Sequence, residues 1–291
     1  MLLVGTVEIW RIEELMLSEP TTLFAQWRPQ IADEEQWLMP NYFDPKLNGF
    51  ITSIHSWLLK TGRHTILIDT GAGNGKNRPA SPRFGNLTTP YLDRLRTVGV
   101  TPADVDYVIN THLHVDHVGW NTSWDGERWV PTFPNAKYLM PGREVEARDP
   151  KRGAADKAPA VHQPFIDSVQ PVLDAGLATL LNGDEKLNDE IEFMPIPGHA
   201  PGQMGIRLRS AGEQALFIGD VMHQPIQVVY PDWNSKYCEN PEIARRTRHD
   251  VLAYCAAHNA LLLPVHFGAP HCGRVLRRGD RYSFSPAPAL P

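Results

Sequence analysis

Residues 4–13, VGTVEIWRIE, alternate apolar and polar positions and predict a strand. The stretch from about 18 to 48 follows neither a strand nor a helix period. It is rich in proline and aromatics (Trp27, Trp37, Tyr42, Phe43), with one helical turn expected near ADEEQWL. FITSIHSWLLKT and HTILIDTG then read as two strands joined by a turn at TGRH. A Gly/Asn-rich loop, GAGNGKNRP, leads to a helix, TPYLDRLRTVG, closed by Gly99. TPADVDYVINTH is a capped turn followed by a buried strand, and NTSWDGERWV carries an Asp-Gly hairpin signal. AKYLMP predicts a strand, and HQPFIDSVQPVLDAG is mostly helical. LATLL, EIEFMPIP, QMGIRLRS and QALFIGD follow as strands in quick succession. Asn240-Pro241 opens the clearest helix, PEIARRTRHDVLAYCAAHN. Its apolar face takes in Ile243, Thr247, Val251, Leu252 and Cys255, with Arg245, Arg246 and Arg248 expected on the solvated side. ALLLPVHF is the last buried strand, with a short one near GRVLRR.

Strands and helices mixed in this order predict layered α/β packing with helices outside. No linker or short repeat divides the chain, so residues 1–291 are expected to form one domain with an irregular 18–48 segment. That segment is a candidate to cover a pocket or to clasp a second subunit in a homodimer. The 26 prolines and 22 glycines are scattered, which fits short elements joined by tight turns. A net charge of −5 gives no electrostatic basis for binding nucleic acid or an anionic membrane. No apolar run approaches the ~18–20 residues of a membrane span. MLLVGTVEIWRIEE lacks a basic leader region and reads as a strand. Three cysteines (Cys238, Cys255, Cys272) without paired spacing argue against a disulfide framework and for a reducing, cytoplasmic setting.

The candidate chemistry is concentrated in THLHVDHVGW. His112, His114, Asp116 and His117 fall within six residues, starting where a strand ends. His112 and His114 share one face of an extended chain. Four groups this close cannot easily surround one ion, but they suit two, with His112 and His114 on one and Asp116 with His117 on the other. Leaving four such groups buried without a partner would be costly. The missing ligands have three later sources: His199 in PIPGHAPG, Asp220 at the end of LFIGD and His266 at the end of LLLPVH. Asp220 could bridge two ions about 3.5–4 Å apart. Imidazoles with few carboxylates favour zinc-type ions.

HLHVDH, PGHAPG, FIGD and PVH, in that order after LIDTG, resemble the metallo-β-lactamase superfamily. The likeness runs from about Ile66 to His266. It implies an αββα sandwich of two mixed sheets between outer helices. It also implies a dinuclear site, most simply two Zn2+, with His112, His114 and His199 on the first ion. Asp116, His117 and His266 would hold the second ion, with Asp220 bridging and Asp69 orienting a ligand-bearing loop. Within the superfamily the chain looks most like the branch of the N-acyl homoserine lactonases and methyl parathion hydrolase. Those lactonases carry a Tyr three residues after the bridging Asp, where this chain has His223, which can donate the same hydrogen bond.

The resemblance implies a hydrolase that cleaves a small ester-like substrate, foremost a lactone, by attack of a metal-bridging hydroxide. Asp116 and Asp220 would move protons and His223 would donate to the substrate oxygen. An aryl ester or phosphotriester hydrolase is the alternative. A redox di-iron protein is more distant, because such relatives usually have Glu at the place of His114 and an attached flavin domain. The expected partner is a small-molecule substrate. His55, His64, His162, His223, His249, His258 and His271 are expected by default to be structural, with the hydrogen-bond donor role as the alternative for His223 and a loop near the mouth of the site as the place of His271. Trp120, Trp124 and Trp129 are expected in core or hairpin packing. GAGNG lacks the GK[ST] ending of a phosphate cradle.

Overall fold

The structure, a computed structural model, describes residues 1–288. Its strands, in chain order, begin with β1 (Leu2–Val4), β2 (Val7–Pro20), β3 (Phe43–Asp44), β4 (Gly49–Lys60), β5 (Thr65–Ile68) and β6 (Tyr107–Ile109). Next come β7 (Thr122–Trp124), β8 (Trp129–Pro131), β9 (Lys137–Pro141), β10 (Ala178–Leu181) and β11 (Ile191–Pro195). β12 (Met204–Ser210), β13 (Glu213–Gly219), β14 (Leu261–Pro264), β15 (Gly273–Arg278) and β16 (Arg281–Pro286) complete the set among the described residues. The helices are α1 (Gln30–Glu34), α2 (Tyr91–Thr97), α3 (Gly142–Arg148), α4 (Gln163–Ser168), α5 (Gln170–Asp174), α6 (Ile226–Val229) and α7 (Pro241–His258). One mixed sheet runs β1-β2-β4-β5-β6-β9-β10, with β3 on β4, and the other runs β11 to β16 in order. The expected class, mixed α/β with two mixed sheets and helices, holds. No helix among the described residues is long and apolar enough to cross a membrane.

The chain divides into two compact units, residues 1–15 with 54–185, and 16–53 with 186–291, so the cut falls inside β2 and β4. In the first unit β5, β6, β9 and β10 are parallel neighbours, while β4 is antiparallel to β5. The parallel run explains why VDYVINT reads as continuous apolar sequence: such strands are covered on both faces. The core joins Leu67, Tyr91, Leu95, Val108, Val118, Tyr138 and Phe165. Trp120 stacks on Tyr91, and Trp124 pairs with Trp129 across the β7–β8 hairpin, as expected of hairpin and core packing.

In the second unit β13 and β14 are the parallel pair among antiparallel neighbours. Helix α7 is capped by Asn240, whose side chain accepts from the Ile243 N–H at 3.0 Å, and ends on Asn259 in the left-handed region. Its packed face differs from the expectation in two places. Ile243 is exposed and Ala244 is buried instead. Arg248, expected in solvent, is 0% exposed. Its guanidinium donates to the Val221 and Pro231 carbonyls and to Asn234 Oδ1, so each nitrogen of the buried cation has an acceptor. The irregular 18–48 segment belongs to this unit. Its Trp27, Tyr42 and Phe43 pack with Phe24, Phe50, Ile226 and Trp233 in a separate apolar cluster. β2 reaches Pro20, further than the alternation at 4–13 suggests. Helices α3 and α6 were not legible in the sequence, being short and without side-chain caps.

Candidate metal centre

In the first unit β5 and β6 are parallel neighbours, so their carboxyl ends open on the same side. Asp69 follows β5 with φ +55°, a left-handed conformation that turns its carboxylate towards the segment after β6. Oδ1 of Asp69 accepts the Thr111 N–H at 2.7 Å, and Oδ2 accepts the Thr111 hydroxyl at 2.8 Å. The same Oδ2 accepts Nδ1–H of His117 at 2.9 Å. With its proton given to Asp69, the Thr111 oxygen accepts from Nδ1 of His112 at 3.0 Å. Asp69 thus sets both tautomers: Nδ1 is protonated in His112 and His117, and each Nε2 carries a lone pair.

The His112 ring lies 4.0 Å from that of His117 and 4.6 Å from that of His114. Asp116 Oδ1 lies 3.9 Å from His117 Nε2. His112 and His117 are fully buried, while His114 and Asp116 are half-buried. The tight turn is held from below. Thr70 N–H and Asn110 Nδ2 both donate to the His117 carbonyl, and Gly119 N–H donates to the Gly71 carbonyl. A Cβ on Gly119 would lie 1.8 Å from the Ala72 carbonyl carbon, so only glycine lets the two loops meet. Two further residues here were missed by sequence reasoning. Glu144 of α3 accepts the Leu113 N–H, and Arg148 donates to Nε2 of His114 at 2.9 Å while its Nε reaches Glu144. Their helix carries no recognisable motif, and the contacts span 31 and 34 residues.

In the second unit β13 and β14 likewise end side by side. Asp220 follows a register shift and Gly219, whose φ is +47°, and His266 follows β14 by two residues. His199 is delivered by the turn after β11. There Gly198, at φ +127°, sits where a Cβ would lie 2.2 Å from the Ala244 amide nitrogen of α7. Thr247 of α7 donates to the Pro197 carbonyl at 2.7 Å and fixes the same turn.

Three imidazoles converge on one carboxylate. Asp220 Oδ2 lies 3.2 Å from Nε2 of His199, 3.3 Å from Nε2 of His223 and 3.1 Å from Nε2 of His266. All four residues are 5% exposed or less. Asp220, His223 and His266 offer donor atoms within 4.8 Å of one another. His271, expected in a loop, is in one, buried at φ +73° with Nδ1 donating to the Phe267 carbonyl.

The donor set fits divalent cations. His266 Nδ1 must carry the proton, because its partner at 3.0 Å is the Ser53 carbonyl, which only accepts. Its Nε2 lone pair therefore faces the lone pairs of Asp220, an arrangement that becomes favourable with a cation between them. His112 and His117 present Nε2 lone pairs in the same way. His114 fits only with a change: ligation requires the Arg148 contact to open or the ring to give up its Nδ1 proton. Imidazole nitrogens with carboxylate oxygens are the ligand types of zinc-class ions.

Two mixed sheets, with His112, Asp220 and His266 just past the carboxyl ends of parallel strands and His199 in the turn after β11, define an α/β protein with a candidate metal site. The sequence profile of the metallo-beta-lactamase superfamily matches residues 50–266, and the chain belongs to that family. An N-acyl homoserine lactonase, AttM, of Rhizobium radiobacter is 26% identical over 183 residues, 54% of this chain and 59% of that protein. The N-acyl homoserine lactonase of Bacillus cereus is 25% identical over 175 residues, 56% of this chain and 61% of that protein. The match thus spans less than two thirds of these relatives. Among solved structures, the hydrolase AbOPH of the beta lactamase superfamily superposes with a TM-score of 0.83 at 26% identity, covering 100% of this chain and 97% of that one. AidC, a dizinc quorum-quenching lactonase, shares the fold with a TM-score of 0.77 at 21% identity, over 100% and 97% of the two chains.

Proposed function

We propose that residues 1–291 act as one catalytic domain, a dinuclear metal-dependent hydrolase that opens a small ester-like substrate, foremost a lactone. His112, His114 and His199 would hold the first cation and Asp116, His117 and His266 the second, with Asp220 shared by both. The observation that carries this reading is the buried Asp220 carboxylate with three imidazole Nε2 atoms at 3.1–3.3 Å, one of them held in the ligating tautomer. When bound, zinc-class cations supply Lewis acidity to a carbonyl oxygen and a water whose pKa falls towards about 7. The protein supplies the rest. Asp69, through Thr111 and His117, holds two ligands in the ligating tautomer. Asp116 and Asp220 take the proton from the attacking water and return it to the leaving alkoxide. His223 donates a hydrogen bond to the substrate oxygen as negative charge develops there.

The lactone is favoured because relatives bear the name N-acyl homoserine lactonase. The presence of His223 three residues after Asp220 favours a second reading, an aryl ester or phosphotriester hydrolase. Side-by-side kcat/KM of the zinc-loaded protein on N-hexanoyl homoserine lactone, an aryl acetate and paraoxon separates the two. A lactone preference supports the first reading, and a preference for either other substrate replaces it.

A further inference from the structure

The proposed donor His223 needs to be held, since a donor must stay within about 0.5 Å of its productive place. Its main chain is fixed locally: the His223 N–H donates to Gln227 Oε1 at 2.7 Å, and Gln227 Nε2 donates to the Trp233 carbonyl at 2.9 Å. The imidazole Nε2 lies 3.3 Å from Asp220 Oδ2, and three of the rings that flank it bear on its orientation. Two, His199 and His266, are ligand candidates at 5.0 and 5.5 Å. The third is Tyr237, 5.8 Å away and tilted by 34°. Tyr237 is half-buried, and its hydroxyl donates to both oxygens of Glu19 at 3.0 and 3.2 Å. Glu19 lies near the end of β2 and is 2% exposed. The stretch after β2, the N-terminal arm, also pairs with the 235–237 loop: Lys236 N–H donates to the Leu23 carbonyl, within the antiparallel bridge of Phe24 with Ser235.

We propose that Tyr237, anchored by Glu19, is a positioning residue for His223, so that the N-terminal arm sets the donor's orientation from more than 200 positions away in sequence. The proposal rests on the hydrolase reading for its effect on turnover, but not for its effect on the ring. A tyrosine turns about two bonds, and tethering its hydroxyl to a buried carboxylate removes that freedom. The imidazole beside it then keeps one rotamer. Glu19→Gln keeps an oxygen that accepts the hydroxyl, whereas Glu19→Met does not.

The test uses the full-length zinc-loaded protein with N-hexanoyl homoserine lactone as probe, and imidazole 15N NMR as a second readout. Tyr237→Phe and Glu19→Met are expected to lower kcat by about fivefold with little change in KM and unchanged metal content. Glu19→Gln should recover most of that loss. In a His223→Ala background Tyr237→Phe should cost nothing further, because the two act as one unit. In the NMR spectrum the signal lost in His223→Ala should shift or broaden in Tyr237→Phe and Glu19→Met and return in Glu19→Gln. An unmoved His223 signal, or losses that multiply in the double variant, overturns the proposal. Should the wild type hydrolyse nothing while the NMR pattern holds, the hydrolase reading fails and the positioning stands.

Discussion

Asp69 Oδ2 accepts Nδ1–H of His117 at 2.9 Å and, through the Thr111 hydroxyl, also orders Nδ1 of His112. One fully buried carboxylate therefore dictates which nitrogen two ligand candidates present. Asp69→Asn keeps the shape and reverses the chemistry. Its amide donates to His117 Nδ1, so Nε2 gains the proton and loses its lone pair. Metal affinity should fall by about 10–100-fold in chelator competition, with the fold retained. Wild-type affinity in this variant would remove Asp69 from the account.

Arg248 is a buried cation whose three acceptors lie on the loops after β13, including the Val221 carbonyl beside Asp220. Burial lowers its pKa to about 10, which leaves it charged at neutral pH. Arg248→Met strands these acceptors, and the urea midpoint should drop by an amount equivalent to roughly 3 kcal/mol. A change under about 0.5 kcal/mol, the usual range for a surface site, would show that the loops find other partners.

Lys76 gives a pH dependence with a definite sign. Its Nζ is buried beneath the Trp129 ring at 3.6 Å and donates to Thr122, and the neighbouring Asp167 is already held by Arg78. Desolvation outweighs the attraction of Asp167 and lowers the Lys76 pKa from 10.5 to about 7. Between pH 7 and 10.5 the unfolded chain binds the proton and the folded chain releases it, so this group makes stability rise with pH across that window. Below pH 7 both states are protonated and the full penalty, on the order of a few kcal/mol, persists. Denaturation of wild type and Lys76→Met at pH 7 and pH 9.5 isolates the contribution. The rise should be smaller in the variant, and equal rises in both would assign it elsewhere.

Strand ends were legible from sequence because parallel strands read as apolar runs, and His112, Asp220 and His266 stand just past them. The tethers were not. His266 takes its tautomer from the Ser53 carbonyl, a main-chain group with no signature, 213 residues away. Arg248 looked solvated because helix periodicity sees only its own helix, while its acceptors come from loops at 221–234. Ile243 fails for the converse reason: the first turn of α7 lies against the Gly198 turn through Ala244.

Gly119→Ala probes how the ligand cluster is folded. The added Cβ would meet the backbone of Ala72, which cannot give way as a side chain could. A loss of roughly 3 kcal/mol or more, or failure to fold, is expected. A stable, metal-binding variant would mean that the 69–73 and 117–121 loops tolerate separation.

Zinc counted per chain by elemental analysis, after reconstitution and exhaustive dialysis, reaches the heart of the matter. Two ions should remain on the wild type, and one or none on Asp220→Asn, since that carboxylate is proposed to join both. A wild type that retains fewer than one, or an Asp220→Asn variant that still keeps two, contradicts a shared centre bridged by Asp220.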